Sequence, residues 1–209
     1  MPVDHDLPVE GMIYQREQYA KGGVGRRYWD YRDAAMLSRI TTEKRIVDIG
    51  CGEGITLERL VRRFPDRTVF GIDRCAENVE ICRRHHLPVL LGSVYHLCLS
   101  SESVDCCLFT EVIEHLDHPG RALDEIARVL DKNGLLLLLF PNDKVFKLAR
   151  LATFKFREAF YDPGHVKQWS PKEMVAELES RGFRLLAAEN LPFYFWRLSL
   201  HHLVAARKS

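Results

Sequence analysis

The apolar positions of this 209-residue chain change their period along its length. After Arg45, short unbroken apolar runs alternate with stretches in which apolar residues return every three or four positions. The first kind reads as a strand covered on both faces, the second as an amphipathic helix. The runs predict strands over 45–49, 68–72, 88–91, 104–109 and 135–140. Helices are predicted over 53–64, 76–85 and 121–130; in the first, Ile55, Leu57, Leu60, Val61 and Phe64 supply the apolar stripe. Asp131-Lys132-Asn133-Gly134 reads as the turn that closes the last of them. This rhythm predicts an α/β fold with a doubly wound, mostly parallel sheet.

The two ends differ. The first forty residues read as an irregular arm, broken at Gly22-Gly23-Val24-Gly25, that leads into a helix over 28–40. Residues 142–169 form a polar and aromatic excursion with no strand pattern. A helix over 171–181 ends at Gly182, and 183–188 and 198–206 are two more strand candidates. A linker containing Pro192, without a helix, joins them, so they are expected to pair antiparallel. The sheet then has seven strands with an antiparallel last strand, in a single domain over 1–209.

Composition narrows the class. Hydrophobic residues are 46% and charged residues 28%, which excludes a largely disordered chain. Lys and Arg number 30 against 29 Asp and Glu, so global charge gives no reason to expect nucleic acid or an anionic membrane. The six cysteines include no C-x-x-C pair and read as reduced thiols in a cytoplasmic protein. The N-terminus lacks the apolar run of a signal peptide, and the longest apolar stretch, 134–141, is too short to span a bilayer.

The strongest chemical signal is Val47-Asp48-Ile49-Gly50-Cys51-Gly52-Glu53-Gly54, between a strand and a helix. Alternate glycines allow a sharp turn and a close backbone approach to a ligand. The ligand then sits at a helix N-terminus, beside unpaired N–H groups. A dinucleotide fingerprint would need glycine at position 55, which is Ile55. Asp48 is also unwelcome beside a pyrophosphate and suits a positively charged ligand. At the end of the next strand, Asp73 in Phe70-Gly71-Ile72-Asp73 can accept from both hydroxyls of a ribose. The bland alternative is a tight strand–helix turn with Asp73 as a helix cap.

These residues, from Arg45 to Asn142, resemble the class I S-adenosylmethionine-dependent methyltransferases, most of all the broad group of ubiquinone-type and other small-molecule enzymes. Gly50–Gly54 resembles the family's first motif, Asp73 its acidic second motif, Cys107–His115 its fourth-strand motif and Ile126–Pro141 its fifth-strand region. The resemblance implies a Rossmann-like sheet of order 3-2-1-4-5-7-6 and S-adenosyl-L-methionine as cofactor. It implies that Asp48, Gly50, Cys51, Gly52 and Gly54 lie along the methionine moiety and that Asp73 holds the ribose. Arg74 would border the adenine, with Ser93 and Val94 at its edge, and Glu111 would lie beside the transferring methyl. Ser93 departs from the family's frequent acid, although a hydroxyl can also accept from an adenine amino group.

Methyl transfer is an in-line displacement in which the sulfonium charge disappears, so position does most of the chemistry. A base is needed only where the acceptor must lose a proton. His115, in Glu111-Val112-Ile113-Glu114-His115-Leu116, and His165, in the segment after the fifth strand, are the candidate catalytic bases; His118 reads as part of a helix cap. A sharper alternative takes Glu111, Glu114, His115 and His165 together. They resemble the metal site of RNA 3′-end 2′-O-methyltransferases, where two carboxylates and two imidazoles would bind a divalent ion. A third reading is a non-catalytic S-adenosylmethionine-binding module.

The substrate segments are less specific. Between 144 and 157, Lys144, Lys147, Arg150, Lys155 and Arg157 interleave with aromatics and no acid. That pattern suits an acidic metabolite, an anionic surface or nucleic acid, or simply a lid with a solvated basic face. The expected partner is a small-molecule acceptor; nucleic acid is not favoured, and the chain is expected to be a monomer or homodimer. Residues 1–44 are expected to cover the cofactor cleft and 142–170 to form the acceptor-side insertion.

Overall fold

The computed structural model describes residues 15–142, 145 and 166–209. Seven strands form one sheet: β1 (Arg45–Ile49), β2 (Thr68–Asp73), β3 (Val89–Leu91), β4 (Val104–Thr110), β5 (Leu130–Pro141), β6 (Phe183–Leu191) and β7 (His201–Lys208). Their order is β3-β2-β1-β4-β5-β7-β6. The first five run parallel, and β7 is antiparallel to both β5 and β6. The expected order and the antiparallel close are both observed.

Alternation along the strands divides the core into two layers. Val47, Ile49, Cys107, Phe109, Leu136, Leu138 and Val204 pack on one face with α5 (Pro119–Val129) and α6 (Pro171–Glu179), through Leu123, Ile126, Met174 and Leu178. Ile46, Cys106, Leu108, Leu135, Leu137, Leu139 and Leu203 pack on the other with α2 (Gly23–Leu37), α3 (Ile55–Arg63) and α4 (Ala76–Arg84), through Met36, Leu57, Leu60 and Cys82. Both faces of the central strands are therefore dry, which is why their sequences read as unbroken apolar runs. A Ser170 capping box with Glu173 fixes the start of α6.

Two local expectations differ from the structure. The glycines do interrupt the arm, but the segment before them is helical and the helix expected over 28–40 starts earlier. After α1 (Gln15–Ala20), Gly22 at φ 75° forms the entry to α2, which begins at Gly23 and stops at Leu37. Glycine inside a helix costs about 1 kcal/mol, but burial of Arg32, Asp33, Met36 and Leu37 docks this helix on the sheet. The turn at Asp131–Gly134 is absorbed as an irregularity of β5: Val104 pairs with Leu130, then Cys106 with Leu135. Asn133, at φ 62°, takes up the change.

Leu137, fully buried on β5 between β4 and β7, tests this layering. Leu137→Ala should destabilise the fold by about 2–5 kcal/mol in urea unfolding. A loss below about 1 kcal/mol would contradict a tightly packed sheet centre.

Candidate functional site

The sheet order reverses beside β1, which lies between β2 and β4. In an open α/β sheet the crevice at the carboxyl ends of such strands is where ligands bind. The glycine loop follows β1 there, with Gly50, Gly52 and Gly54 at φ 73°, 54° and 77°. A Cβ on Gly50 would lie 2.3 Å from Val112 Cγ2, and one on Gly54 would lie 2.6 Å from Leu87 Cδ1. Both positions thus demand glycine on conformational and steric grounds. The loop is fastened to β2 because Gly50 N and Cys51 N donate to the Ile72 carbonyl at 2.7 and 3.2 Å. No side chain caps the first turn of α3 that it opens.

Asp73 is buried at the end of β2. Its carboxylate accepts from Gly52 N at 2.7 Å and from Cys75 N at 2.8 Å, so the loop itself orients it. Gly92 N donates to the Asp73 carbonyl at 2.9 Å, which sets Ser93 and Val94 next to the same strand end. Ser93 Oγ accepts from Tyr95 N, Val94 packs against the core, and Arg74 is exposed. Cys51 belongs to the core cluster with its thiol directed at Gly71, so what it offers a ligand is backbone.

The arm meets this loop through Glu53. Gln15 N and Arg16 N donate to the buried Glu53 carboxylate at 2.6 and 2.8 Å, while Arg16 Nε donates to the Glu53 carbonyl at 2.6 Å. Arg16 also reaches the Gly54 carbonyl and pairs with Glu58 at 2.9 Å. The start of α1 is therefore anchored on the glycine loop.

Glu111 follows β4 at φ 55°, a conformation that disfavours side chains other than glycine. One carboxylate oxygen accepts from Arg32 Nη1 at 2.7 Å and the other from His201 Nε2 at 2.5 Å. Burial alone would raise its pKa, but the charges of Arg32 and His201 and their hydrogen bonds hold it well below the carboxylate range. Arg32 continues to Asp33, which accepts from Thr56 and Arg59, and His201 continues to Tyr28 Oη at 2.7 Å. Sequence reasoning missed Arg32 and His201. The available signals were a Tyr-x-x-x-Arg-Asp run on a helix and a His-His pair opening an apolar strand.

Of the two candidate bases, the described residues include His115. His115 lies in a short 3-10 turn (Ile113–His115), with its Nε2 4.0 Å from Glu114 Oε1. The Glu114 carbonyl accepts from Val166 N and Lys167 N, which ties this turn to the segment before α6. His118 precedes α5 without a side-chain cap bond, and its ring packs against Tyr95. His165 and most of 142–165 lie outside the described residues. Among the described residues no group of three or more His, Cys, Asp or Glu side chains is placed to hold a metal ion. Glu111 is instead committed to Arg32 and His201, so the four-residue metal reading is not favoured.

Asp48, on β1, is buried, and its Oδ2 has no hydrogen-bond partner among the described residues. Burial first, and then the neighbouring carboxylates of Asp33 and Asp73, push its pKa up to about 7, with Arg32 opposing. The folded chain therefore keeps a proton that the unfolded chain releases near pH 4. Stability at this group is fully present below that pH and is lost as the pH climbs through about 7. Asp48→Asn removes the titration. Relative to the unmodified protein it should gain stability between pH 5 and pH 8 in urea midpoints, and a constant difference would contradict the assignment.

The chain is similar to known proteins in sequence and in fold. A methyltransferase-domain family profile matches residues 47–138. The chain is 31% identical to a ubiquinone biosynthesis O-methyltransferase of Rhodopseudomonas palustris, over 95% of this chain and 81% of that protein. It is 37% identical over 102 residues to an uncharacterised 37.1 kDa protein of a Streptomyces fradiae transposon, covering 46% of this chain and only 30% of that relative. It spans about half to two thirds of several other matched relatives. A methyltransferase structure from Archaeoglobus fulgidus superposes with a TM-score of 0.72 at 17% identity, covering 92% of this chain and 98% of that one, which supports the fold. From the long match at 31% identity and the glycine-loop geometry together, the chain belongs to the class I S-adenosylmethionine-dependent methyltransferase family, whose cofactor is S-adenosyl-L-methionine.

Proposed function

We propose that the protein transfers a methyl group from S-adenosylmethionine to a small-molecule acceptor. The observation that carries this reading is the buried, unpartnered Asp48 oxygen beside a loop that only glycines fit. A buried carboxylate without a partner is costly, and a cationic ligand offsets that cost. The residues present therefore suit a cofactor that carries an ammonium group and a ribose. Bound there, the cofactor supplies an electrophilic methyl on a positively charged sulfur.

The chain's own residues position it. Asp48 faces the cationic end, and the backbone of Gly50, Cys51, Gly52 and Gly54 lies along the methionine portion. Asp73, already oriented by Gly52 and Cys75, has carboxylate lone pairs left for the ribose hydroxyls. Arg74, Ser93 and Val94 border the adenine, and Glu111 stands at the methyl-transfer end. Alignment of this kind is worth about 7–11 kcal/mol of barrier. The contact of α1 with Glu53 supports the arm as a cover of the cleft. The acceptor-side insertion over 142–170 falls mostly outside the described residues. The Rhodopseudomonas palustris relative's name, an O-methyltransferase of ubiquinone biosynthesis, favours a small organic acceptor over RNA.

Calorimetry with S-adenosylmethionine and with its demethylated product tests the reading. Both should bind, and Asp73→Ala should weaken each by about 1–3 kcal/mol, the scale of hydrogen bonds to a charged group. Binding of NADH in their place, or unchanged affinity in the variant, would count against it. Binding without methyl transfer to any of a panel of hydroxylated aromatics would leave a cofactor-binding module.

A further inference from the structure

Two cysteines meet at the glycine loop. Cys51 lies within the loop, and Cys82 is on α4. Both sulfurs converge on the Gly52 carbonyl oxygen, at 3.9 Å from Cys51 Sγ and 3.4 Å from Cys82 Sγ. The two thiols also share a hydrogen bond. Glycines leave the room that the sulfurs fill. A Cβ on Gly71 would lie 2.6 Å from Cys51 Sγ, and one on Gly54 would lie 2.7 Å from Cys82 Sγ. Cys106 and Cys107 are adjacent in sequence but do not meet, because successive strand residues face opposite layers of the core.

Burial gives the two thiols unequal roles. Cys51 keeps 9% of its exposure and Cys82 keeps none, so a water-sized oxidant reaches Cys51 first. Mobility is unequal as well. Cys82 is fixed within a helix, whereas Cys51 has a glycine on either side. A covalent bond between two sulfurs is shorter than any contact between unbonded thiols. Joining them therefore displaces the loop toward α4. The loop has little slack to absorb this, since Gly50 N and Cys51 N donate to the Ile72 carbonyl and Gly52 N donates to the Asp73 carboxylate.

We infer that Cys51 and Cys82 are a redox modification site: peroxide joins them in a reversible disulfide that draws Gly52 from Asp73 and lowers affinity for S-adenosylmethionine. The effect on the cofactor rests on the reading above, which lays the cofactor along this loop; the disulfide itself does not. Hydrogen peroxide is the oxidant. At Cys51 an S–O bond forms as the O–O bond breaks, and the departing hydroxide leaves as water with the thiol proton. Cys82 sulfur then attacks Cys51 sulfur. The S–S bond forms, the S–O bond breaks, and the second hydroxide leaves as water with the Cys82 proton. Two thiols are thus oxidised to one disulfide, and one peroxide is reduced to two waters. The hydrogen bond with Cys51, aided by the charge of Arg16, holds Cys82 below the usual thiol pKa against its burial. That suits Cys82 to the second step, which needs a thiolate. A dithiol reductant reverses the bond by exchange, which returns both cysteines to thiols.

Peroxide treatment of the reduced, ligand-free protein tests the site. Intact mass should fall by two hydrogens for this bond, and peptide mapping should join Cys51 to Cys82. Calorimetric affinity for S-adenosylmethionine should fall by at least roughly 10-fold, the scale of one lost hydrogen bond to a charged group, and should return with dithiothreitol. Cys82→Ser, which keeps a donor for the Gly52 carbonyl, should bind the cofactor and hold its affinity through the same treatment. Cys82→Ala serves where the buried hydroxyl disturbs folding. A map that shows oxidation of the exposed Cys98 but no link between Cys51 and Cys82 overturns the site. A link that leaves cofactor affinity unchanged overturns its control of the loop. An equal loss of affinity in the peroxide-treated Cys82 variants also overturns it, since another cysteine is then responsible. Reduced, unmodified protein that fails to bind the cofactor overturns the methyltransferase reading instead, and the peptide map still decides whether the disulfide forms.

Discussion

The site depends on one carboxylate at the end of the central strand. Glu111 holds a left-handed backbone conformation that costs a non-glycine residue about 1–3 kcal/mol. Such strain persists only where the surroundings over-determine it. Here they do: Arg32 from α2 and His201 from β7 each take one oxygen. Arg32 and His201 are buried while the Glu111 side chain is about a third exposed, so each charge-assisted hydrogen bond is worth about 1.5–3 kcal/mol rather than the value of a fully buried pair. Two such bonds together offset the strain, so the pairings hold the geometry. They also tie the arm and the last strand, far apart in sequence, to the same point of the sheet.

The surrounding charges follow from the same constraint. Arg32 and Arg59 balance Asp33 and Glu111, so this cluster is neutral as a unit and tolerates burial. Asp48 stands outside the balance: its Oδ2 lacks a hydrogen bond, and Asp33 and Asp73 disfavour its charge. Asp48 and Asp73 thus stand at the carboxyl ends of β1 and β2 without a cationic side chain paired to either among the described residues. On the reading proposed above, preference for a positively charged ligand would come from this uncompensated pair rather than from any added contact. A pyrophosphate would meet Asp48 and Asp73 as like charges, which separates this loop from the dinucleotide loops it resembles in outline.

What the sequence made legible follows from the range of the interactions. The parallel strands were readable because both faces of each are buried, so their apolar runs are local signals. The glycine loop was readable because Gly50 and Gly54 serve backbone conformations that no other residue adopts cheaply. The position of Asp73 was readable because the end of β2 is a local signal as well. The break at Gly22 was legible, but the start of α2 at Gly23 rather than Tyr28 was not, since Gly23 and Gly25 disfavour a helix that the docking of Met36 and Leu37 on the sheet supports. Arg32 and His201 escaped notice for a different reason. Their role exists only where α2 and β7 converge on Glu111, 79 and 90 positions away in sequence. No periodicity in a single sequence encodes such a meeting.

The convergence also changes what the arm is. It would be a simple cover if it only lay over the glycine loop through Gln15, Arg16 and Glu53. But α2, the next helix along, inserts Arg32 and Tyr28 among groups that belong to the sheet, and Asp33 into contact with Arg59 of α3. The side chains that fix Glu111 and those that grip the loop thus sit on consecutive helices joined by Lys21 and Gly22. Undocking this unit would break the contacts on the glycine loop at one end and remove a partner of Glu111 at the other. A carboxylate in strained backbone would then face solvent with one of its two donors gone. Docking of these two helices and the fixing of Glu111 are therefore coupled, and the ordering entropy of the helices is offset by contacts both on the glycine loop and at Glu111.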